Sequence, residues 1–311
     1  MTSVEARGLF EEFPYLQGSG DGEFVSRYLL PNLPAAPKSV LDFGSGIGAS
    51  IEIARHFSAA RVMSLDFSNA AGAAERGRAA QLRNLEVLAQ DPLQPLASRV
   101  GELRYDLILS LGVLMLTPDP AAWLGNLRRV ITDDGLLVVM LYGKHGCFEL
   151  ELELELVEHF RQTTQKSDRE LRTLCAKIAQ EPELQSNRFH KLAPLTPGLL
   201  WGLLRDQMLS RNGRAVHAEE RAAGDARPAL RPLHNRSAKE WIESIETAGF
   251  RLDRFVFEPT SAGLCVPHDA LAQIRSSALR SELTALSPVD QYQAFDLIFR
   301  PMLHIMAFRP R

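Results

Sequence analysis

Between Ser39 and Leu141 the chain alternates short apolar runs with stretches whose apolar residues recur every three or four positions. The runs are Ser39 to Phe43 (SVLDF), Arg61 to Asp66 (RVMSLD), Leu85 to Ala89 (LEVLA), Tyr105 to Ser110 (YDLILS) and Leu136 to Leu141 (LLVVML). They are too short for helices and are bounded by glycine, proline or polar residues, so they read as buried strands. After the first run, Ile47, Ile51, Ala54 and Phe57 share one helical face. Ser68 caps a helix through Leu82, and Ala121 to Ile131 sets Trp123, Leu124, Leu127 and Val130 inward. Asp133-Asp134-Gly135 then turns the chain into the fifth strand. Five strands alternating with helices predict an α/β fold with a doubly wound, mostly parallel sheet. Further on, Ser237 caps a helix through Thr247 that Gly249 ends, and Arg251 to Glu258 alternates as a strand. Helical stretches near 268–281 and 290–297 follow, and Met302 to Phe308 closes the chain as a last strand.

Two segments stand outside this alternation. Phe148 to Val157 alternates Glu and Leu, which has the period of a strand but the residues of a helix; both residues are strong helix formers, so it reads as a helix. With further helical stretches at 168–180 and 199–209 and a loop-like 211–235, residues 148–235 read as an α-helical insert. It leaves at a strand's carboxyl end, so it starts over the pocket as a cap. Residues 1–37 form an N-terminal lid segment, with aromatic residues to Tyr15, a glycine-rich loop, and a helix from Glu23 to Leu30 stopped by Pro31. The main domain is therefore 38–147 together with 236–311.

The turn after the first strand carries the chemistry. Gly44 and Gly46 allow the backbone to turn sharply and approach a ligand, and the helix beyond offers free N–H groups. With Ala49 they satisfy the dinucleotide string G-x-G-x-x-G/A, which leaves an NAD(P)-dependent oxidoreductase open. Asp42 makes the run D-x-G-x-G-x-G, which resembles motif I of the class I S-adenosylmethionine-dependent methyltransferases. Asp66 ends the second strand where such units deliver a carboxylate to a ribose, and Phe67 follows it to cover an adenine. Gln90-Asp91-Pro92-Leu93 looks like that family's adenine motif, and Tyr105 to Leu116 is similar to a run in many of its small-molecule enzymes. The run departs where several relatives carry histidines; here Leu114 and Met115 stand instead. The resemblance covers 39–141 and 237–311. It implies a seven-stranded, Rossmann-like sheet whose last strand is antiparallel, and S-adenosylmethionine as cofactor. The implied cofactor contacts are Asp42, Gly44, Ser45, Gly46, Asp66, Phe67, Asp91, Pro92 and Ser110. A cofactor-binding regulatory subunit without catalysis is the remaining alternative.

Net charge of −3 and a pI near 6.3 give no general attraction to a polyanion, so a small organic acceptor is expected rather than nucleic acid. The absence of an N/D-P-P-Y/F signature points the same way. Three scattered cysteines fit a reducing compartment and lack metal-ligand spacing, so no metal is expected. With no signal-like start and no long apolar window, a cytoplasmic protein off the membrane is expected. Tyr142, Lys144 and His145 follow the fifth strand, beside the expected methyl position. His145 and Tyr142 are the catalytic candidates; Tyr15, Tyr142, His145, His234 and Arg236 are the candidates for acceptor binding.

Overall fold

The computed structural model describes residues 25, 29–30, 33, 37–45, 49–66, 81–90, 103–144, 162–163, 234–256, 259–260, 263–264, 271, 275–299 and 303–311. The first three strands have the bounds expected from their apolar runs: β1 (Ser39–Phe43), β2 (Arg61–Asp66) and β3 (Leu85–Ala89). Helix α1 (Ala49–His56) joins β1 to β2. After β4 (Tyr105–Leu111) comes a 3₁₀ turn at Leu114–Leu116, then α2 (Pro120–Val130) and β5 (Ile131–Tyr142). Asp119 starts α2 by accepting from the Ala122 N–H at 2.9 Å, with proline at the first helical position where its missing N–H costs nothing. Beyond residue 233 lie α3 (Ala238–Thr247), β6 (Phe250–Val256), a small hairpin of β7 (Pro259–Thr260) and β8 (Gly263–Leu264), α4 (Ser277–Ala285), α5 (Pro288–Phe299) and β9 (Leu303–Pro310). The hairpin carries no signal in the apolar pattern.

Seven strands form one sheet in the order β3-β2-β1-β4-β5-β9-β6. Pairings from β3 through β5 are parallel, and β9 runs antiparallel to both its neighbours. The carboxyl ends of β1 to β5 therefore share one edge, where open α/β sheets bind ligands. Alternation along each strand divides the core between two faces. Leu41, Phe43, Ile108, Val139 and Phe308 pack under α2, α3 and α5, including Trp123, Trp241 and Phe295. Val40, Val62, Leu109, Val138 and Ile305 pack under α1, together with Val25, Leu29 and Leu30 of the N-terminal segment. Strand β3 is only partly buried because it is an edge.

Two expectations are altered. The helical stretch expected near 268–281 is broken at 275–276, where Ser276 caps a helix that runs on to Ala285. The turn at Asp133-Asp134-Gly135 lies inside β5, which begins directly at Ile131. Tyr105 pairs with Ile131 and Leu107 with Leu136, so the residues between form a wide bulge. A Cβ on Gly135 would stand 2.5 Å from Ile131 Cγ1 and 2.9 Å from the Thr132 carbonyl, so the bulge closes only over glycine.

The start of α3 is held from three sides. Ser237 and Glu240 form a reciprocal capping box, with the Ser237 N–H donating to the Glu240 carboxylate at 2.7 Å. The Ala238 and Lys239 N–H groups donate to Asp296 (3.1 Å) and Gln293 (3.3 Å), while Lys239 Nζ meets Asp290 at 2.7 Å. Asp290, Gln293 and Asp296 recur every three residues on α5, so one polar stripe receives the helix start. Asp296 also accepts from His304 Nε2 on β9 at 3.1 Å, both side chains being fully buried. Phe255 stacks on Tyr292 with centroids 4.5 Å apart and lies 5.4 Å from the His304 ring.

The Ser237 backbone N–H, its hydroxyl and then Lys144 hold the Glu240 carboxyl below the ordinary 4.5. A depressed carboxylate contributes stability above its unfolded value that is lost as pH falls through the folded one. The midpoint of thermal unfolding is thus expected to drop below pH 4.5, and to drop less in Glu240→Gln; equal pH profiles would remove this contribution.

Candidate functional site

The site begins where β1 ends. Gly44 takes φ +84°, open to glycine but strained for other residues, and a Cβ there would lie 2.9 Å from both methyls of Val113. The Gly44 and Ser45 N–H groups both donate to the Leu65 carbonyl, at 2.8 and 3.2 Å. Ser64 donates its hydroxyl to Ser45 Oγ at 2.7 Å, so β2 grips the turn through backbone and side chain. On the other side Asp42, 1% exposed, accepts from Ser50 Oγ at 2.7 Å in the first turn of α1. The turn is fixed between β2, α1 and the loop after β4. Asp66 ends β2, 6% exposed, and its carbonyl accepts from the Gln90 N–H at 2.8 Å, which ties the ends of β2 and β3. Two carboxylates thus meet a glycine-dependent turn at one edge of the sheet.

The remaining expected residues divide. Ser110 is buried and accepts the Trp123 indole N–H at 3.2 Å, so its oxygen serves the core. Tyr142 ends β5 opposite Leu303, half-buried at the same edge. Lys144 reaches Glu240 at 3.6 Å. His234 is docked on the loop after β4: its N–H donates to the Met115 carbonyl at 3.2 Å and its Nε2 lies 3.0 Å from the Thr117 carbonyl. Arg236 lies along α3, donating to Ser244 Oγ at 2.9 Å with its guanidinium 4.9 Å from the Trp241 ring centre. It lines a recess of about 560 Å³ between α2 and α3, with Ala121, Gly125 and Glu243, away from the glycine turn. The structure therefore brings Asp42, Gly44, Ser45 and Asp66 together and docks His234 on the loop after β4, while Ser110 and Arg236 have other partners. Tyr15, Gly46, Phe67, Asp91, Pro92 and His145 lie outside the described residues, as does nearly all of 148–235, the stretch expected to be a helical insert.

Three features escaped the sequence reading. Ser64 is a small polar residue within an apolar strand, and Ser50 follows the glycines in a helix start; both patterns are visible in the sequence. The carbonyls of Met115 and Thr117 that hold His234 left no side-chain signal.

Residues 41–137 match the family model for a methyltransferase domain. No curated protein matches the chain. Among solved structures, PKMT2 from Rickettsia typhi is similar over 96% of this chain and 53% of that one, at 15% identity and a TM-score of 0.59. The same protein in complex with AdoHcy is similar at 16% identity over 97% and 54%, with a TM-score of 0.58. A chain of the complex between the Haloferax volcanii Trm112 methyltransferase activator and its proposed methyltransferase is similar at 12% identity over 96% and 98%, with a TM-score of 0.51. At these identities the likeness is one of fold, and the chain spans about half the length of PKMT2. Residues 41–137 thus carry a methyltransferase domain, and the sheet around them has the fold of these solved structures. Among the described residues no helix is long and apolar enough to cross a membrane, and no three His, Cys, Asp or Glu side chains are grouped to hold a metal.

Proposed function

We propose that this chain transfers a methyl group from S-adenosylmethionine to an oxygen, nitrogen or carbon nucleophile of a small organic molecule in the cytoplasm. The observation that carries the reading is the fixed turn at Gly44, clasped through Asp42–Ser50 and Ser45–Ser64, with Asp66 beside it at the carboxyl edge. Buried Asp42 suits a cofactor that brings an ammonium and a sulfonium and would repel a pyrophosphate, while Asp66 suits ribose hydroxyls, which NAD also carries. When bound, S-adenosylmethionine supplies an electrophilic methyl group.

In this reading Asp42 holds the first turn of α1 in place through Ser50, and Asp66 accepts from the ribose. Phe67, Asp91 and Pro92 keep the adenine roles that the resemblance implies. Tyr142 ends β5 where the acceptor approaches, with His145 three residues on. Residues 148–235 cap the acceptor and residues 1–37 act as a lid, around a domain of 38–147 and 236–311. Holding the acceptor in line with the methyl carbon in a dry site supplies ~7–11 kcal/mol in favourable systems.

Calorimetry is expected to show binding of S-adenosylmethionine and S-adenosylhomocysteine, and none of NAD or NADP. Tight NAD binding without S-adenosylhomocysteine binding would overturn the reading. Asp66→Ala is expected to weaken S-adenosylhomocysteine ~10–150-fold, the loss of hydrogen bonds to a charged group. An unchanged dissociation constant would show Asp66 to be a structural strand end.

A further inference from the structure

We infer that Ser64 is a positioning residue for the cofactor, acting through Ser45 to set the glycine turn against Asp66; this rests on the methyltransferase reading above. Strand β2 is buried from Val62 to Asp66, and alternation puts Val62, Ser64 and Asp66 on the face that α1 covers. Ser64 is fully buried there, among positions that an apolar side chain would fill without a hydroxyl to satisfy. A buried hydroxyl is costly unless it is hydrogen-bonded. Its partner, at 2.7 Å, is Ser45 Oγ in the turn, 19 residues earlier in the chain.

Across the sheet Ser64 stands opposite Asp42 on β1 and Val87 on β3. Asp42 accepts from Ser50 at 2.7 Å, so α1 holds the acid while β2 holds the turn. Three hydrogen bonds join residues 44–45 to residues 64–65: the Gly44 and Ser45 N–H groups to the Leu65 carbonyl, and Ser64 to Ser45. The two backbone bonds converge on a single oxygen, which leaves the turn a pivot. The side-chain bond acts on a different atom of β2 and removes that freedom. Asp66 follows directly on the strand, 6% exposed, with its carbonyl tied to the Gln90 N–H just after β3. The turn and the ribose carboxylate are therefore set against each other through two adjacent residues, with no loop between them.

A ligand that reaches both places gains from a spacing fixed beforehand, because less order has to be imposed on binding. In the proposed reading S-adenosylmethionine and S-adenosylhomocysteine do so, with the amino-acid end at the turn and the ribose at Asp66. The fragment 5′-methylthioadenosine keeps the adenosine and the thioether but has neither ammonium nor carboxylate. It uses Asp66 and gains nothing from the turn.

Calorimetry with S-adenosylhomocysteine and 5′-methylthioadenosine on Ser64→Ala, Ser45→Ala and the double variant tests this role. Ser64→Ala is expected to bind S-adenosylhomocysteine ~3–10-fold more weakly, the worth of one ordinary hydrogen bond. Ser45→Ala is expected to lose at least as much, and adding Ser64→Ala to it nothing further, since both remove the same bond. Affinity for 5′-methylthioadenosine is expected to change less than about twofold, because that ligand does not depend on the turn. Ser45→Ala removes the bond from the other side and carries the same comparison of ligands where Ser64→Ala does not fold. A purely structural bond would lower the midpoint of thermal unfolding and leave S-adenosylhomocysteine affinity unchanged, and that result overturns the assignment. So do additive losses in the double variant, or equal losses on the two ligands. A parent protein that binds neither ligand overturns the methyltransferase reading, and the positioning role with it.

Discussion

Asp296→Ala is expected to lower the unfolding free energy by about 2 kcal/mol or more, because two buried donors each lose their acceptor at about 1–3 kcal/mol apiece. The carboxylate is fully buried and accepts from His304 Nε2 through one oxygen and from the Ala238 N–H through the other. Alanine removes both acceptors at once and leaves two buried donors without them. It also releases three elements from one another, since α5 carries the carboxylate, β9 the imidazole and α3 the amide. Asp296→Asn keeps an acceptor and is expected to lose less. Urea denaturation followed by tryptophan fluorescence reads both variants. A loss below about 1 kcal/mol for alanine, the worth of an ordinary hydrogen bond, would mean that the pair does not hold these elements together.

Gly44→Ala is expected to damage binding and stability together. The left-handed backbone costs a residue with a Cβ about 1–2 kcal/mol. The new Cβ would also meet Val113 at 2.9 Å, and relieving such an overlap in a packed region costs about 1–3 kcal/mol. Val113 belongs to the loop after β4, so the displacement passes from the cofactor turn to the loop that holds His234. S-adenosylhomocysteine affinity is expected to fall at least about tenfold, the equivalent of 1.4 kcal/mol. Adding Val113→Ala separates the two causes: the double variant should recover the steric part and keep the backbone part. A single Gly44→Ala variant that binds the cofactor product as tightly as the parent would remove the turn from the binding site.

The sheet was legible where burial on both faces forces near-continuous apolar runs, as in SVLDF and YDLILS, and where glycine or proline marks their ends. The turn at Gly44 was legible because its backbone demands glycine, and Asp42 because an acid stands in an otherwise apolar strand. The Asp133-Asp134-Gly135 bulge was misplaced as a turn between elements because the same polar and flexible residues suit both. The His304–Asp296 pair was not legible: its partners are brought together by the packing of α5 on β9, and no local period reports that. His234 was visible only as one histidine among eight; the backbone carbonyls that hold it have no side-chain identity to read.

The place of β9 in the sheet also sets the order in which the protein can be completed during synthesis. Strand β5 is made by Tyr142, but its neighbour on the far side begins only at Leu303. At about 5–20 residues per second, the 160 residues between those positions take roughly 8–32 s to emerge. Throughout that interval β5 presents an unfilled row of backbone donors and acceptors, the kind of edge that pairs with foreign strands. The nascent chain therefore passes through a long window in which its central strand is an open edge, and only β9, made after the other six strands of this sheet, closes it.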